Sequence, residues 1–381
     1  MAGLYIHIPF CIKRCGYCDF FSTTQMEYKE AYIAALLQEM EIRKDAWHDA
    51  LFETVYFGGG TPSVLPPQAL YSIFEAIYRN FSVSAYPEIT LEGNPDDLSC
   101  NYVSFLKDLP VNRLSMGIQS FDDRELCLLN RRHTAQEAID AVTRCKEAAF
   151  SNINIDLMYG LPGQTTATWS CTLDKAIALG IPHISAYHLT YEEGTALYQM
   201  MKDKIINPVD EDESEAFFQL LKKKLSQAGF VHYEISNFAL RSPRYPSGRI
   251  SLHNTSYWKG VHYLGLGASA HSYNGVSRSW NVSSLTEYVA AIHDNPASIV
   301  ETEWLDERTR YNEYIMTRLR TMWGVSLNDL RRDFGSDLNH YFFEKIRPLI
   351  YRKMLKMQGG NVKVSNKGMF ISDAIIRELL V

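Results

Sequence analysis

The sequence predicts an α/β fold: a barrel or partial barrel of parallel strands, followed by a smaller helical domain of winged-helix-like layout. Three observations carry this. Six strand-like segments alternate with six longer segments of helical spacing, and strict βα alternation favours a parallel sheet because each parallel return needs a crossover helix. Polar residues of unusual type fall at or just after the ends of nearly all the strands, which suits a face that collects every βα loop better than a single switch-point crevice. From about residue 303 the alternation gives way to helices and a hairpin.

The strands read as "LYIHI" (4–8), "TVYF" (54–57), "EITLE" (88–92), "RLSMGI" (113–118), "NINIDLM" (152–158) and "HISAYHL" (183–189), runs of β-branched and aromatic residues. The helices begin near residues 28, 67, 102, 135, 167 and 213. The last opens on "DEDESE", a solvated start whose negative charge suits the N-terminal end of the helix dipole. Beyond residue 240, "ALRSPRYPSGRISLHNTSYW" is rich in Pro, Ser and Gly and reads as loop. The expected division is therefore a barrel over 1–240, a connecting region over 241–302 and a C-terminal domain over 303–381. In that domain three helical patterns precede "KMQGGNVKV", a hairpin with Gly359 and Gly360 at its turn, and a last helix near "ISDAIIRELL". Such a layout offers Arg331, Arg332, Lys353 and Lys356 as contacts to DNA phosphate. Interleaved acids and a formal charge of -6 argue against that, and no nucleic-acid partner is expected. A docking or lid module is preferred.

With 46% hydrophobic and 22% charged residues and no low-complexity tract, the chain is expected to be an ordinary globular protein. No charged leader with an apolar core precedes it, and no apolar run reaches the length of a membrane span, so a cytoplasmic location is expected. Seven cysteines, three clustered and four scattered, do not form the even framework of a secreted disulfide protein. Cys100, Cys127, Cys145 and Cys171 read as small buried hydrophobes.

The chemistry concentrates in "IPFCIKRCGYCDFF", where Cys11, Cys15 and Cys18 follow the first strand. Structural zinc normally takes four ligands as two separated pairs, and no second pair exists, although His7 or His271 could complete such a site. Three thiolates on one short loop better suit a cubane iron-sulfur cluster with its fourth iron open to an exchangeable ligand. "YFGGGTPS" ends the second strand in three glycines, which permit close approach of backbone to a ligand. "EGNP" contributes Glu92, "GIQSF" Gln119 and "DLMYGLPGQT" Asp156, one polar side chain per strand end, a placement that points to a shared ligand.

Together, "YIHIPFCIKRCGYCDF", "FGGGTPS", "EITLEGNP", "LSMGIQSFDD", "NIDLMYGLPGQT" and "YEISNFA" resemble the radical SAM superfamily, in its coproporphyrinogen dehydrogenase-like branch, over essentially the whole chain. The resemblance implies a partial (β/α)6 TIM-like barrel with a C-terminal helical, winged-helix-like domain. It implies a [4Fe-4S] cluster on Cys11, Cys15 and Cys18 and S-adenosylmethionine on its fourth iron. It places Tyr5 and Tyr17 beside the cluster and Gly59, Gly60 and Thr61 near the methionine amino group. Glu92, Gln119, Arg131 and Asp156 become further contacts to this cosubstrate. A sulfonium with a zwitterionic amino-acid end and a ribose asks for such carboxylates, an arginine and glycine backbone.

Within the branch, the dehydrogenase continues its cluster motif to a fourth cysteine, where this chain has Phe20, and carries a longer segment ahead of the cluster. The heme chaperone group, HemW-like, shares the three-cysteine loop ending in "CDF" and an H-N-x-x-Y-W motif, present here as "HNTSYW" (His253 to Trp258). That resemblance makes His253 the expected axial ligand of heme on a flexible segment, with Tyr257 and Trp258 covering the macrocycle. The expected function is thus a heme-binding chaperone that delivers heme, or another tetrapyrrole, to an acceptor protein. The alternative is oxidative decarboxylation of coproporphyrinogen III. Weak membrane association and a homodimer are left open.

Overall fold

The computed structural model describes residues 1–246 and 248–381. The six expected strands form one parallel ribbon in chain order: β1 (Ala2–Ile8), β2 (Leu51–Gly59), β3 (Ser82–Gly93), β4 (Arg113–Gln119), β5 (Ile153–Tyr159) and β6 (His183–His188). Crossovers are made by α1 (Lys29–Arg43), α2 (Pro67–Asn80), α3 (Cys100–Leu106), α4 (Asp123–Leu128), α5 (Ala135–Glu147) and α6 (Thr166–Ala178), and α7 (Ala196–Lys202) and α8 (Glu211–Gln227) follow β6. The strands are buried on both faces, as β1 shows with only Tyr5 short of full burial. Each helix gives one stripe to this core. In α2 the stripe is Leu70, Ile73, Phe74 and Ile77, each worth roughly 1.5–3 kcal/mol of burial. Capping boxes fix the starts of α5 (Thr134, Glu137) and of α8 (Asp210, Glu213), the latter at the acidic run.

The connecting region is corrected. Beyond the antiparallel pair β7 (Phe230–His232) and β8 (Asn237–Leu240), the chain forms α9 (Leu252–Trp258) and returns to the far side of the sheet. There β9 (His262–Leu266) pairs in parallel with β1, and β10 (His271–Tyr273), β11 (Ser277–Asn281) and, after α10 (Leu285–Asp294), β12 (Val300–Trp304) extend the edge. The result is a twelve-strand curved sheet running from β12 to β7, a partial barrel. These strands escape a pattern reading because they are short, and β9 is interrupted by a glycine that its packing requires: a Cβ on Gly265 would lie 2.1 Å from the His271 carbonyl oxygen.

The C-terminal domain has its own core around Tyr311, Ile315, Phe342 and Ile346. It comprises α11 (Glu307–Leu319), β13 (Val325–Ser326), α12 (Leu327–Asp333), α13 (Ser336–Tyr351), the hairpin β14 (Leu355–Gln358) and β15 (Asn361–Val364), and α14 (Ser372–Arg377). Gly359 and Gly360 turn the hairpin with φ of 60° and 77°. Of the residues such a layout would offer to phosphate, Arg332 is bound to Asp329 and Asp333 at 2.9 and 2.7 Å, and Arg331 lies over the Phe343 ring. Among the scattered cysteines only Cys145 is buried. Cys100, Cys127 and Cys171 are exposed, because each faces outward from the solvent side of an amphipathic helix. Among the described residues no helix is long and apolar enough to cross a membrane.

Candidate functional site

The cysteine loop leaves β1 at the C-terminal mouth of the barrel and is tied down along its length. The Cys11 amide donates to the Thr23 carbonyl and that of Thr23 to Pro9, closing its base; the Gly16 amide donates to Leu129 and its carbonyl accepts from Leu197. Backbone of β2 comes up against it: Gly60 and Thr61 donate to the carbonyls of Ile8 and Phe10, each at 2.8 Å. Here the glycines have a packing reason. A Cβ on Gly60 would lie 2.7 Å from the Pro9 carbonyl, and one on Gly59 (φ 108°) would lie 2.6 Å from the His7 ring. Gly58, not singled out by its sequence, is the member whose missing side chain opens onto Tyr5, Tyr56 and Glu92.

One polar chain joins Cys11 and Cys15 to the ends of β2, β3 and β4. Cys11 Sγ lies 3.4 Å from Thr61 Oγ1, to which Asn94 Nδ2 donates at 3.3 Å. Arg131, between α4 and α5, donates to Asn94 Oδ1, to the Gly117 carbonyl and, at 3.0 Å, to Cys15 Sγ. Asn94 was missed by the sequence reading, although its place beside Glu92 in "EGNP" is the signal. Burial raises the Cys11 and Cys18 thiols above their ordinary values, Cys18 to about 11, and the neighbouring thiols add to both shifts. As thiolates they need a cationic partner, and three soft donors carried on one loop at the mouth suit an iron-sulfur cluster. Tyr17 packs under the loop among Leu129, Met158 and Leu161. Tyr5 reaches His7 Nδ1 at 3.1 Å, and His7 Nε2 reaches the Phe21 carbonyl oxygen at 3.0 Å, so His7 braces the loop. Phe20 is 67% exposed.

Below the loop two carboxyls face the interior. Tyr56 donates to Glu92 Oε1 at 2.6 Å, and burial lifts Glu92 to about 7, with the charge of Asp156 adding to the shift. Asn154 donates to Asp156 at 2.8 Å, while burial raises Asp156 as well. Two desolvated carboxyls favour a cation or hydroxyl donors between them. Gln119 ends β4 in a left-handed conformation (φ 72°) where the register with β5 slips, a strained placement for a side chain that is not glycine.

His253 requires a correction. It lies on α9, not on a flexible loop, and is 2% exposed. Its Nδ1 is 2.8 Å from Thr54 Oγ1, its Nε2 is 2.8 Å from the Tyr257 hydroxyl, and its ring stacks on Tyr56 at 4.9 Å. Its amide donates to Glu88. Both ring nitrogens are therefore committed inside the protein, because a capped helix ("SLHNTSYW", with Ser251 as cap) overrides the loop-like composition before it. Tyr257 and Trp258, at the other end of that helix, line a cleft against the C-terminal domain.

With this geometry in hand, known proteins can be compared. The radical SAM superfamily profile matches residues 5–176 and the HemN C-terminal domain profile residues 305–371. The heme chaperone HemW of Lactococcus lactis is 32% identical over 378 residues, covering 99% of this chain and 97% of that protein. This chain belongs to the HemW family of radical SAM proteins. The HemW of Bacillus subtilis is 33% identical over 385 residues, with 100% and 99% covered. The solved structure of coproporphyrinogen III oxidase (HemN) from Escherichia coli, titled a radical SAM enzyme, superposes with a TM-score of 0.86 over 99% of this chain and 89% of that one, at 23% identity. It shares the fold with the HemW-family chain described here.

Proposed function

We propose that this protein is a heme chaperone that binds heme and passes it to an acceptor protein. The observation that carries the reading is the composition of the loop at the barrel mouth: three cysteines followed by an exposed phenylalanine, on a chain whose full-length relatives are named heme chaperones. In this reading Cys11, Cys15 and Cys18 would hold a [4Fe-4S] cluster. Glu92, Gln119, Arg131, Asp156, Thr61 and the backbone of Gly59 and Gly60 would contact S-adenosylmethionine, with Tyr5 and Tyr17 at the cluster's flanks. When bound, such a cluster supplies low-potential electrons to a sulfonium. The chain's own residues position the partners: Glu92 and Asp156 stabilise positive charge and accept from hydroxyls, and Arg131 orients Cys15 while balancing thiolate charge.

The test is anaerobic incubation of reconstituted protein with coproporphyrinogen III, dithionite and S-adenosylmethionine, beside a heme titration and transfer to an apo heme protein. Stoichiometric heme uptake and transfer with all substrate carboxylates intact is expected. Loss of carboxylates, without heme retention, would establish the decarboxylating enzyme instead.

A further inference from the structure

A second cleft, sharing no lining residue with the one beside α9, opens at the joint between the two cores. It lies between α8 with the pair β7–β8 on the barrel and the end of α11 with the hairpin β14–β15 on the C-terminal domain. Its volume is about 560 Å³, within the roughly 300–1,000 Å³ range of small-molecule sites. Backbone fixes its base: Glu234 and Thr321 form an antiparallel bridge, and the Met322 amide donates to the Tyr233 carbonyl at 2.8 Å.

The charge of this cleft is one-sided. Lys222, Lys223, Arg320, Lys356 and Lys363 line it against a single carboxylate, that of Glu234. Arg320 is bound to Asp373 at 2.8 Å. Among the described residues the lysines that form ion pairs are Lys44 and Lys224, and none of the four in the cleft does. In a chain of formal charge -6 such an excess repels itself and attracts an anion. Burial lowers the Lys222 ammonium from its ordinary value, a desolvation that an anion beside it offsets.

Charge and size narrow the class of ligand. A single phosphate carries about two negative charges at neutral pH, fewer than four ammonium groups can balance, and it would fill little of the cleft. Lysines serve phosphate oxygens as point charges, so a di- or triphosphate matches them. Glu234 adds a second requirement. It is 3% exposed and its Oε1 has no hydrogen-bond partner among the described residues, and a buried acceptor of this kind needs a donor. The hydroxyls of a ribose or the amino group of a base provide one. Phe230 and the stacked pair of His232 and Phe238, 4.3 Å apart, give the organic part an apolar wall.

We infer that this cleft binds a nucleoside di- or triphosphate, with its phosphates on Lys222, Lys223, Lys356 and Lys363 and its sugar or base donating to Glu234. A ligand so placed bridges lysines of the barrel and lysines of the hairpin and ties the two together; no bond is made or broken. The inference stands apart from the carrier reading. The test titrates full-length, anaerobically reconstituted protein, saturated with S-adenosylmethionine, with ATP, ADP and inorganic tripolyphosphate by calorimetry without added magnesium. ATP and ADP are expected to bind at one per chain, ATP the more tightly, with affinity falling as salt rises, and amide exchange over residues 355–364 is expected to slow. Lys222→Gln combined with Lys363→Gln is expected to weaken ATP binding about tenfold or more. Lys107→Gln combined with Lys345→Gln, the same change of charge outside the cleft, is expected to keep wild-type affinity. Wild type that binds neither nucleotide at millimolar concentration, or binding that the Lys222 and Lys363 substitutions leave unchanged, overturns the inference. Tripolyphosphate that binds as tightly as ATP overturns the nucleoside assignment, because Glu234 then meets no donor.

Discussion

At the residue scale, Arg131 and His253 do different work. Arg131 makes three hydrogen bonds that link Cys15 to Asn94 and Gly117, and hydrogen bonds to charged groups are worth about 1.5–3 kcal/mol each. Arg131→Gln is expected to fold but to lose cluster iron to a chelator at least several-fold faster than wild type, with Arg131→Lys recovering only part because it lacks the planar fork; iron release against time reads this. His253 is buried and hydrogen-bonded through both ring nitrogens. Its removal leaves Thr54 and Tyr257 without partners, and His253→Ala is expected to lose about 2–4 kcal/mol in denaturant unfolding. The same residue sets a pH slope. Burial holds it neutral, lowered to about 3, whereas the unfolded chain titrates near 6.5. The unfolded state binds more protons between those values, so this contribution is full above pH 6.5 and is lost as pH falls toward 3. Glu92 and Glu234, raised to about 7, act oppositely, and the stability they carry is lost as pH rises through 7. Comparing His253→Ala with wild type cancels them, and the variant is expected to show the shallower acid slope between pH 6.5 and 4.

At the scale of elements, the end of β2 is the most constrained segment. Gly60→Ala places a Cβ 2.7 Å from the Pro9 backbone and 2.9 Å from the Phe10 carbonyl oxygen, neither of which is a flexible side chain. The loop bearing Cys11 must shift, and the variant is expected to reconstitute with well under the about four irons per chain of a cubane cluster, as iron and sulfide analysis would show. What was legible in the sequence follows the same line. The six parallel strands announced themselves through continuous β-branched runs, and the thiols, Glu92, Gln119 and Asp156 through their place at strand ends. The addition of β9 to the barrel was hidden by its five-residue length and by Gly265 within it. The helix α9 was hidden by the Pro, Ser and Gly before it, so the sequence places His253 on a flexible segment whereas it is buried on a capped helix. Asn94 is marked in the sequence only by its place in "EGNP", and the role of Gly58 is visible only once β2 and β3 stand side by side.

At the scale of the whole molecule, the barrel core and the C-terminal core are joined by specific polar ties: Met322 donates to the Tyr233 carbonyl at 2.8 Å, Arg318 to that of Lys259 at 3.1 Å, and Arg278 pairs with Glu313. These ties hold the cleft that receives Trp258 against α11, while the thiol loop crowns the opposite reach of the same sheet. The reading of that loop depends on one proposition, that it builds a three-thiolate cluster with one iron left open. Low-temperature electron paramagnetic resonance of the dithionite-reduced, reconstituted protein, recorded with and without S-adenosylmethionine, addresses it most directly. The account predicts a [4Fe-4S] signal whose g values move when S-adenosylmethionine is added, and its disappearance in Cys15→Ser. A reduced cluster signal unaltered by S-adenosylmethionine, or no such signal in the reconstituted wild type, would contradict it.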